Sequence, residues 1–480
     1  MTSRETEFVM PPSLHDEIVQ AAFRKRGYTD RESRQAAEFA RLAEIQSAGG
    51  SGYFVAADVT SADSVATLLA AVVEKSGQCE VLVNGAGVNS AAGIDITPVW
   101  NKSDREHRIV GTEPQSLRDE ADAAVAALGW SGAYRVDADH INLDTVDRFV
   151  DCSDFFTLDV GDAIGERATD GDIRAFVGRH SRYVGRMEIP GAGEFSVGRE
   201  TIENVALKFL KAVQRAGAIY RYIAGAKAAD AFIAEVSMDE TDTPQTPLEM
   251  FFILAAIADE NIPAQTIAPR FSGRFNKGVD YDGDTAKFEQ EFNDDLAAIA
   301  YAIAEFGLPD NLKLSVHSGS DKFSIYEPMH EALRRTGAGL HLKTAGTTWL
   351  EELIGLAEAG GDGLAIAQEV YTQSLARIDE LCRPYATVID IDPTELPPAA
   401  AVLGWNGAEY AAALRHDRGN PAYNPSLRQL LHVGYKVAAE MGERYYGALR
   451  EFESDVARNV TENLWRRHIE PLFVDKEPKS

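Results

Sequence analysis

From about residue 51 the chain alternates two textures. Short apolar runs rich in Val, Ile, Phe and Tyr are separated by longer stretches whose apolar positions recur at helical spacing. This rhythm predicts parallel β/α units. The strands read from it are Tyr53–Val59, Val81–Gly87, Ala133–Asp139, Phe155–Val160, Phe232–Glu240, Thr266–Phe271, Leu312–Ser320 and Gly339–Gly346. Thr246-Pro247-Leu248-Glu249 predicts a capped helix with Pro at its first position. Phe288, Phe292, Ile299 and Ile303 set an apolar stripe on another, which stops at Gly307 and Pro309. Thr348 and Glu351 read as a second capping box, with Leu350, Leu353 and Ile354 facing inward.

Eight strands separated by helices predict an α/β fold, a (β/α)8 TIM-like barrel over residues 51–360. Residues 1–50 read as a helical segment ending in Gly49-Gly50-Ser51-Gly52, and residues 161–200 as a Gly- and Arg-rich insertion after the fourth strand. Residues 361–480 read as a helical extension, with Asn424–Ser480 forming two long helices. No repeat of fixed period is present.

Charge narrows the partners. With 47 Lys+Arg against 75 Asp+Glu, the net charge is −28, which argues against nucleic acid and anionic membrane, both polyanions. An anionic substrate would then need a local cationic or metal-bearing site. Cys79, Cys152 and Cys382 form neither a zinc pattern nor a disulfide framework. The N-terminus lacks the basic and apolar blocks of a signal peptide, and no apolar run approaches the roughly 18 residues of a spanning helix. These features predict a soluble, cytoplasmic protein.

In such a barrel the chemistry collects at the C-terminal strand ends. The third strand ends in Asp137-Ala138-Asp139-His140, the fifth in Met238-Asp239-Glu240-Thr241, and the sixth carries Arg270, with Arg274 beyond. The seventh carries His317 and then Ser318-Gly319-Ser320-Asp321-Lys322; the eighth carries His341 and Lys343. His140, His317 and His341 at one mouth, with carboxylates between them, would hold a divalent metal, although a lone strand His is more often a packed core or rim residue. Asp139 and Glu240 read either as an acid/base pair or as partners that orient the histidines. Arg270, Arg274, Lys322 and Lys343 would clamp a carboxylate, or else be solvated charge. Asp321 joins them as a substrate-binding candidate, as do Asn84 and Asn89, whose Gly-rich loop lets a ligand approach the backbone.

The segment ADVTSADSVATLLAAVVEKSGQCEVLVNGAGVNSA resembles the middle of a short-chain dehydrogenase. It lacks the Gly-rich phosphate cradle before it and the Tyr-x-x-x-Lys pair after it. The strand-end motifs together resemble a different family. They are Asp137–His140, Val236–Thr241, Gly278–Asp284, His317–Ser324, His341–Thr347 and Arg428–Val433. In order and spacing they resemble the tagaturonate/fructuronate epimerases, over residues 130–470.

The resemblance implies a metal-dependent isomerase of keto sugar acids using Zn, Mn, Ni, Fe or Co. Asp139 would be its proton acceptor, Glu240 its proton donor, and His140, His317 and His341 its metal ligands. Its partner would be a small sugar acid, with homo-oligomer formation left open. The family's Gly-Asp-Arg and Gln-Gln-Ser motifs at the first two strands are replaced here by Ala57–Thr60 and Asn84–Asn89, so part of the pocket differs. The alternatives are a metal-dependent aldolase or isomerase of a related sugar acid and, in another class, an NAD(P)-dependent short-chain-type oxidoreductase.

Overall fold

The computed structural model describes residues 83–84, 96–228, 231–344 and 346–474. The predicted helical segment 1–50, the strand Tyr53–Val59 and Asn89 lie outside the described residues.

Seven parallel strands form the central sheet: β2 (Val99–Ser103), β3 (Arg135–Ile141), β4 (Phe155–Asp159), β7 (Ile233–Met238), β8 (Thr266–Pro269), β9 (Lys313–His317) and β10 (Leu340–Lys343). They are hydrogen-bonded in that order. A two-residue strand, β1 (Val83–Asn84), runs antiparallel along the outer edge of β2. Six of the eight strands read from the sequence are present as β3, β4 and β7–β10. β2 escaped that reading because its Asn101, Lys102 and Ser103 are polar, yet all five of its residues are buried. Of the Val81–Gly87 run the described residues, Val83–Asn84, form the antiparallel β1.

The sheet curls. Lys343 of β10 and Asp137 of β3 are five strand steps apart, which in a flat sheet would separate them by about 24 Å at about 4.8 Å per step. Their side chains are 2.9 Å apart. Among the described residues seven parallel strands thus wrap around a common interior as a half-barrel, and no pairing joins β10 to β2 there.

The 161–200 insertion folds as a helix (Asp170–Arg179) and an antiparallel hairpin of β5 (Gly185–Ile189) and β6 (Gly193–Val197). The capping boxes divide. Thr246 and Glu249 cap Pro247–Asp259 reciprocally, as read. The helix Thr347–Ala359 instead starts from Gly346, whose backbone is left-handed at φ 79°, and buries Thr348 and Glu351 inside it. The long helix Thr285–Phe306 ends at Gly307 and buries Phe288, Phe292 and Ile299 against the sheet side, as its stripe requires.

Of the two long helices expected beyond residue 424, the first is divided into short ones, whereas the second is continuous through Glu453–Thr461, a π-helical stretch at Glu462–Ile469 and Glu470–Phe473. Pro425–Val433, Tyr435–Met441, Glu443–Glu451 and Glu453–Thr461 are broken at Gly434, Gly442 and Phe452. These helices share one apolar core with Trp100, Leu117 and Val136 and so pack directly on the β2–β3 side of the sheet. Among the described residues no helix is long and apolar enough to cross a membrane.

Candidate active site

A local irregularity in β3 builds the site. Its pairing with β4 shifts register between Ala138 and Ile141, and His140 adopts a left-handed backbone at φ 51°. In a regular strand, neighbouring residues point to opposite faces. A bulge re-aims one of them, and here Asp139 and His140 reach the same place: His140 Nδ1 is 2.9 Å from Asp139 Oδ1. A strained non-glycine backbone at such a point is characteristic of functional sites.

His140 of β3, Asp239 after β7 and His317 at the end of β9 bring one ligand atom each within 4.8 Å of one another. His317 donates through Nδ1 to Asp239 Oδ2 at 3.0 Å and through Nε2 to Glu235 Oε1 at 2.8 Å. The structure does not bring His341 into this group. It sits one layer deeper, with Nδ1 against Glu235 Oε2 at 2.9 Å and its ring beside Phe155. Glu235, a fully buried carboxylate within a buried strand, thus ties both histidines together. Its place in the run FIAEVSMDE is the signal that could have exposed it.

Below the triad, Lys343 Nζ lies 2.7 Å from Asp139, 2.9 Å from Asp137 and 3.1 Å from Glu235. Burial disfavours its charge, but these carboxylates outweigh it and hold the ammonium well above its usual range. Burial likewise opposes ionisation of Asp139, yet His140 and Lys343 keep it well below the usual carboxylate range. Burial works against the His317 imidazolium too, and Asp239 and Glu235 overcome it, raising it to about 10.

Glu240 behaves oppositely. Burial first, then Asp159 and Asp239, push its carboxyl up, so it keeps its proton more readily than a free Glu. It packs over Gly161, where an added Cβ would lie 2.6 Å from Oε2 and 2.8 Å from Cβ of Glu240. Gly161→Ala is therefore expected to displace Glu240 and lower kcat, leaving the thermal midpoint within a few degrees of the parent. Steady-state kinetics and thermal unfolding together check this.

Other candidates are placed elsewhere. The guanidinium of Arg270 is exposed at the rim and donates to the Asp239 carbonyl at 3.4 Å. Arg274, also exposed, pairs with Asp390 at 2.8 Å. Lys322, fully buried, points at backbone carbonyls: Val279 at 2.8 Å and Asn276 at 3.0 Å. Asp321 faces Arg428 at 2.8 Å and His416 at 3.1 Å in a buried network behind the site. The left-handed Gly319 and Ser320, at φ 61° and 110°, turn the chain so that these two side chains leave the mouth that His317 enters. The backbone of Asn84 pairs with Val99 in β1.

A cavity of about 80 Å³ is lined by Lys102, Lys277, Gly346, Glu352, Tyr385, His432, Tyr435 and Tyr445, among others. Lys102 and Lys277 are cations that the strand-end reading missed, the first because β2 was missed and the second because it lies in a loop. Glu352 is buried and accepts from Tyr445 Oη at 2.8 Å. Burial raises its carboxyl from 4.5 to about 8. The stability this group contributes is full below its unfolded value and is lost as pH rises through about 8. Glu352→Gln removes that loss. Its advantage over the parent in thermal or urea unfolding is expected to grow between pH 5 and 8 and then level off, at about 5 kcal/mol at most.

Comparison with known proteins identifies a family. A tagaturonate epimerase family model (UxaE) matches residues 81–472. A short-chain dehydrogenase model matches residues 16–102, of which the structure describes only 83–84 and 96–102. The chain is 27% identical over 403 residues to the tagaturonate/fructuronate epimerase of Thermotoga maritima, covering 81% of this chain and 78% of that protein. Glycerol-complexed fructuronate-tagaturonate epimerase UxaE from Cohnella laeviribosi superposes with a TM-score of 0.63 at 26% identity, covering 78% of this chain and 75% of that one. The native crystal structure of the same enzyme gives a TM-score of 0.62 at 25% identity, with the same coverage of each chain. Matched from β1 to the last helix, and carrying the strand-end motifs in order, the chain belongs to the tagaturonate epimerase family.

Proposed function

We propose that this chain is a metal-dependent epimerase that interconverts tagaturonate and fructuronate by retro-aldol cleavage and re-addition. The observation that carries the reading is the His140–Asp239–His317 triad, flanked by Asp139 held ionised and Glu240 held toward its protonated form.

The donor set suits a divalent cation. Two imidazoles and a carboxylate fit Zn, Mn, Fe, Co or Ni. Asp137, Asp139, Asp159, Glu235, Asp239 and Glu240 crowd around Lys343 and two histidines, and the raised His317 reflects an interior that favours added positive charge. When bound, the cation supplies Lewis acidity toward the substrate's ketone oxygen. Glu235 orients His317 by accepting from its Nε2.

In these keto acids the inverted carbon is β to the ketone, so its C–H is not acidic. The route open to the chain's own groups starts at the hydroxyl on that carbon. Asp139 takes the hydroxyl proton, and the bond between this carbon and the α-carbon breaks. Its electrons pass into the enolate, leaving an aldehyde on the other fragment. The aldehyde rotates, the enolate carbon re-adds to its opposite face, and Glu240 protonates the new alkoxide. Lys343, 2.7 Å from Asp139, keeps it ionised and ready to take the proton.

The test follows tagaturonate and fructuronate by NMR in deuterium oxide. Loss of interconversion on chelation, its return with a divalent metal and no added nicotinamide, and no deuterium at the inverted carbon are the expected results. Deuterium at that carbon would rule out the retro-aldol route, and accumulation of two fragments would identify an aldolase instead. Cys152 and Cys382 are free thiols, which supports a reducing, cytoplasmic setting.

A further inference from the structure

We infer that Lys277 is the anchor for the carboxylate of the sugar acid. The proposal rests on the keto-hexuronate reading above and extends it to a residue that the strand-end motifs do not contain.

The strand-end cations are already engaged, Arg270 at the rim with the Asp239 carbonyl at 3.4 Å. Lys343 is surrounded by three carboxylates within 3.1 Å, and Lys322 turns its ammonium onto main-chain carbonyls. Lys322 has another consequence, because those carbonyls belong to the residues on either side of Lys277. Arg428, fully buried, donates its Nε to the Gly278 carbonyl at 2.6 Å. Ser320 Oγ accepts from Gly278 N–H at 2.8 Å, and the Lys277 N–H donates to the Val388 carbonyl at 2.8 Å. Gly278 has φ +79°, a conformation that opens the turn to glycine and strains other residues. Each residue from Asn276 to Val279 is therefore tied by its backbone, and two buried cations serve the tying.

What this braced loop presents is one long side chain. The Lys277 ammonium enters the cavity shared with Lys102, Tyr385 and Tyr435, 5.4 Å from the Tyr385 ring centroid. Among the described residues this ammonium makes no ion pair within 4.0 Å and no hydrogen bond. Asp139 and Glu106 are among the charges acting on it, and burial nonetheless lowers its affinity for the proton, so a bound anion would restore a full partner. On the cavity wall, the Tyr385 and Tyr435 hydroxyls are 2.8 Å apart. A cation over an aromatic floor, on which the charge of Asp139 also acts, suits a substrate carrying its carboxylate at the end opposite the ketone.

The experiment compares metal-loaded wild type, Lys277→Met and Lys277→Arg in epimerisation of tagaturonate. It also measures inhibition by the neutral ketohexose of the same configuration, which has CH₂OH where the acid has its carboxylate. Lys277→Met is expected to raise KM for tagaturonate about 10- to 100-fold, with kcat changed only a few-fold and inhibition by the neutral sugar unchanged. Lys277→Arg is expected to recover most of the KM. An unchanged KM, or equal weakening toward acid and neutral sugar, would overturn the proposal. If wild type does not convert tagaturonate, the epimerase reading fails on its own. Calorimetric binding of tagaturonate to wild type but not to Lys277→Met would still uphold Lys277, and equal or absent binding to both would overturn it.

Discussion

Asp139→Asn is expected to lower kcat by about 10²- to 10⁴-fold, the range for losing a positioned general base. The amide has the same shape but cannot take the hydroxyl proton. It also removes a negative charge from between His140, at 2.9 Å, and Lys343, at 2.7 Å. Lys343 keeps Asp137 and Glu235, so the interior remains compensated and the fold is expected to survive. NMR-followed kinetics with a circular dichroism control separate the two effects. Activity within about threefold of the parent would exclude Asp139 as the base. Glu240→Gln provides the contrast: because its carboxyl is held toward the protonated form, its loss is expected to weigh most heavily in the direction that needs the donor.

The largest effect on stability is expected at Arg428, which is fully buried. It pairs with Asp321 at 2.8 Å and donates to the carbonyls of Gly278 at 2.6 Å and Leu414 at 2.8 Å. Among the described residues Arg428→Met leaves Asp321 buried with His416, Thr347 and the more distant His468, and strands two carbonyls. Removing one partner of a buried pair costs about 3–5 kcal/mol, read as a shift of the urea midpoint. Adding Asp321→Leu removes the stranded charge and is expected to return part of that loss. The single variant is also expected to raise KM for tagaturonate, since the brace on the Lys277 loop goes with it. A single variant with an unshifted midpoint would show that the network is dispensable.

Several features were legible without the fold. Strand-versus-helix periodicity is local, so β3, β4 and β7–β10 stood out as apolar runs, and Thr246-Pro247-Leu248-Glu249 announced its helix start. The motifs drew attention to Asp139, His140, Glu240 and His317 because polar groups at the ends of several parallel strands face one common mouth. β2 was hidden because its buried polar residues break the pattern that marks a strand. Thr348 and Glu351 mimicked a cap because the spacing of a capping box also occurs inside a helix, and only the position of Gly346 distinguishes the two.

The sequence by itself determined the alternating architecture, the acidic surplus and the set of groups from which the site is drawn, because each is written in local order and composition. Tertiary structure alone decided which of those groups meet. The curl of the sheet sets Lys343 against Asp137 across five strand steps, and the bulge in β3 turns Asp139 and His140 to one side. The left-handed turn at Gly319 and Ser320 sends Lys322 away from His317 and onto the loop of Lys277. A one-residue change of register or a single positive φ reverses where a side chain points, and no local pattern of residues encodes that choice.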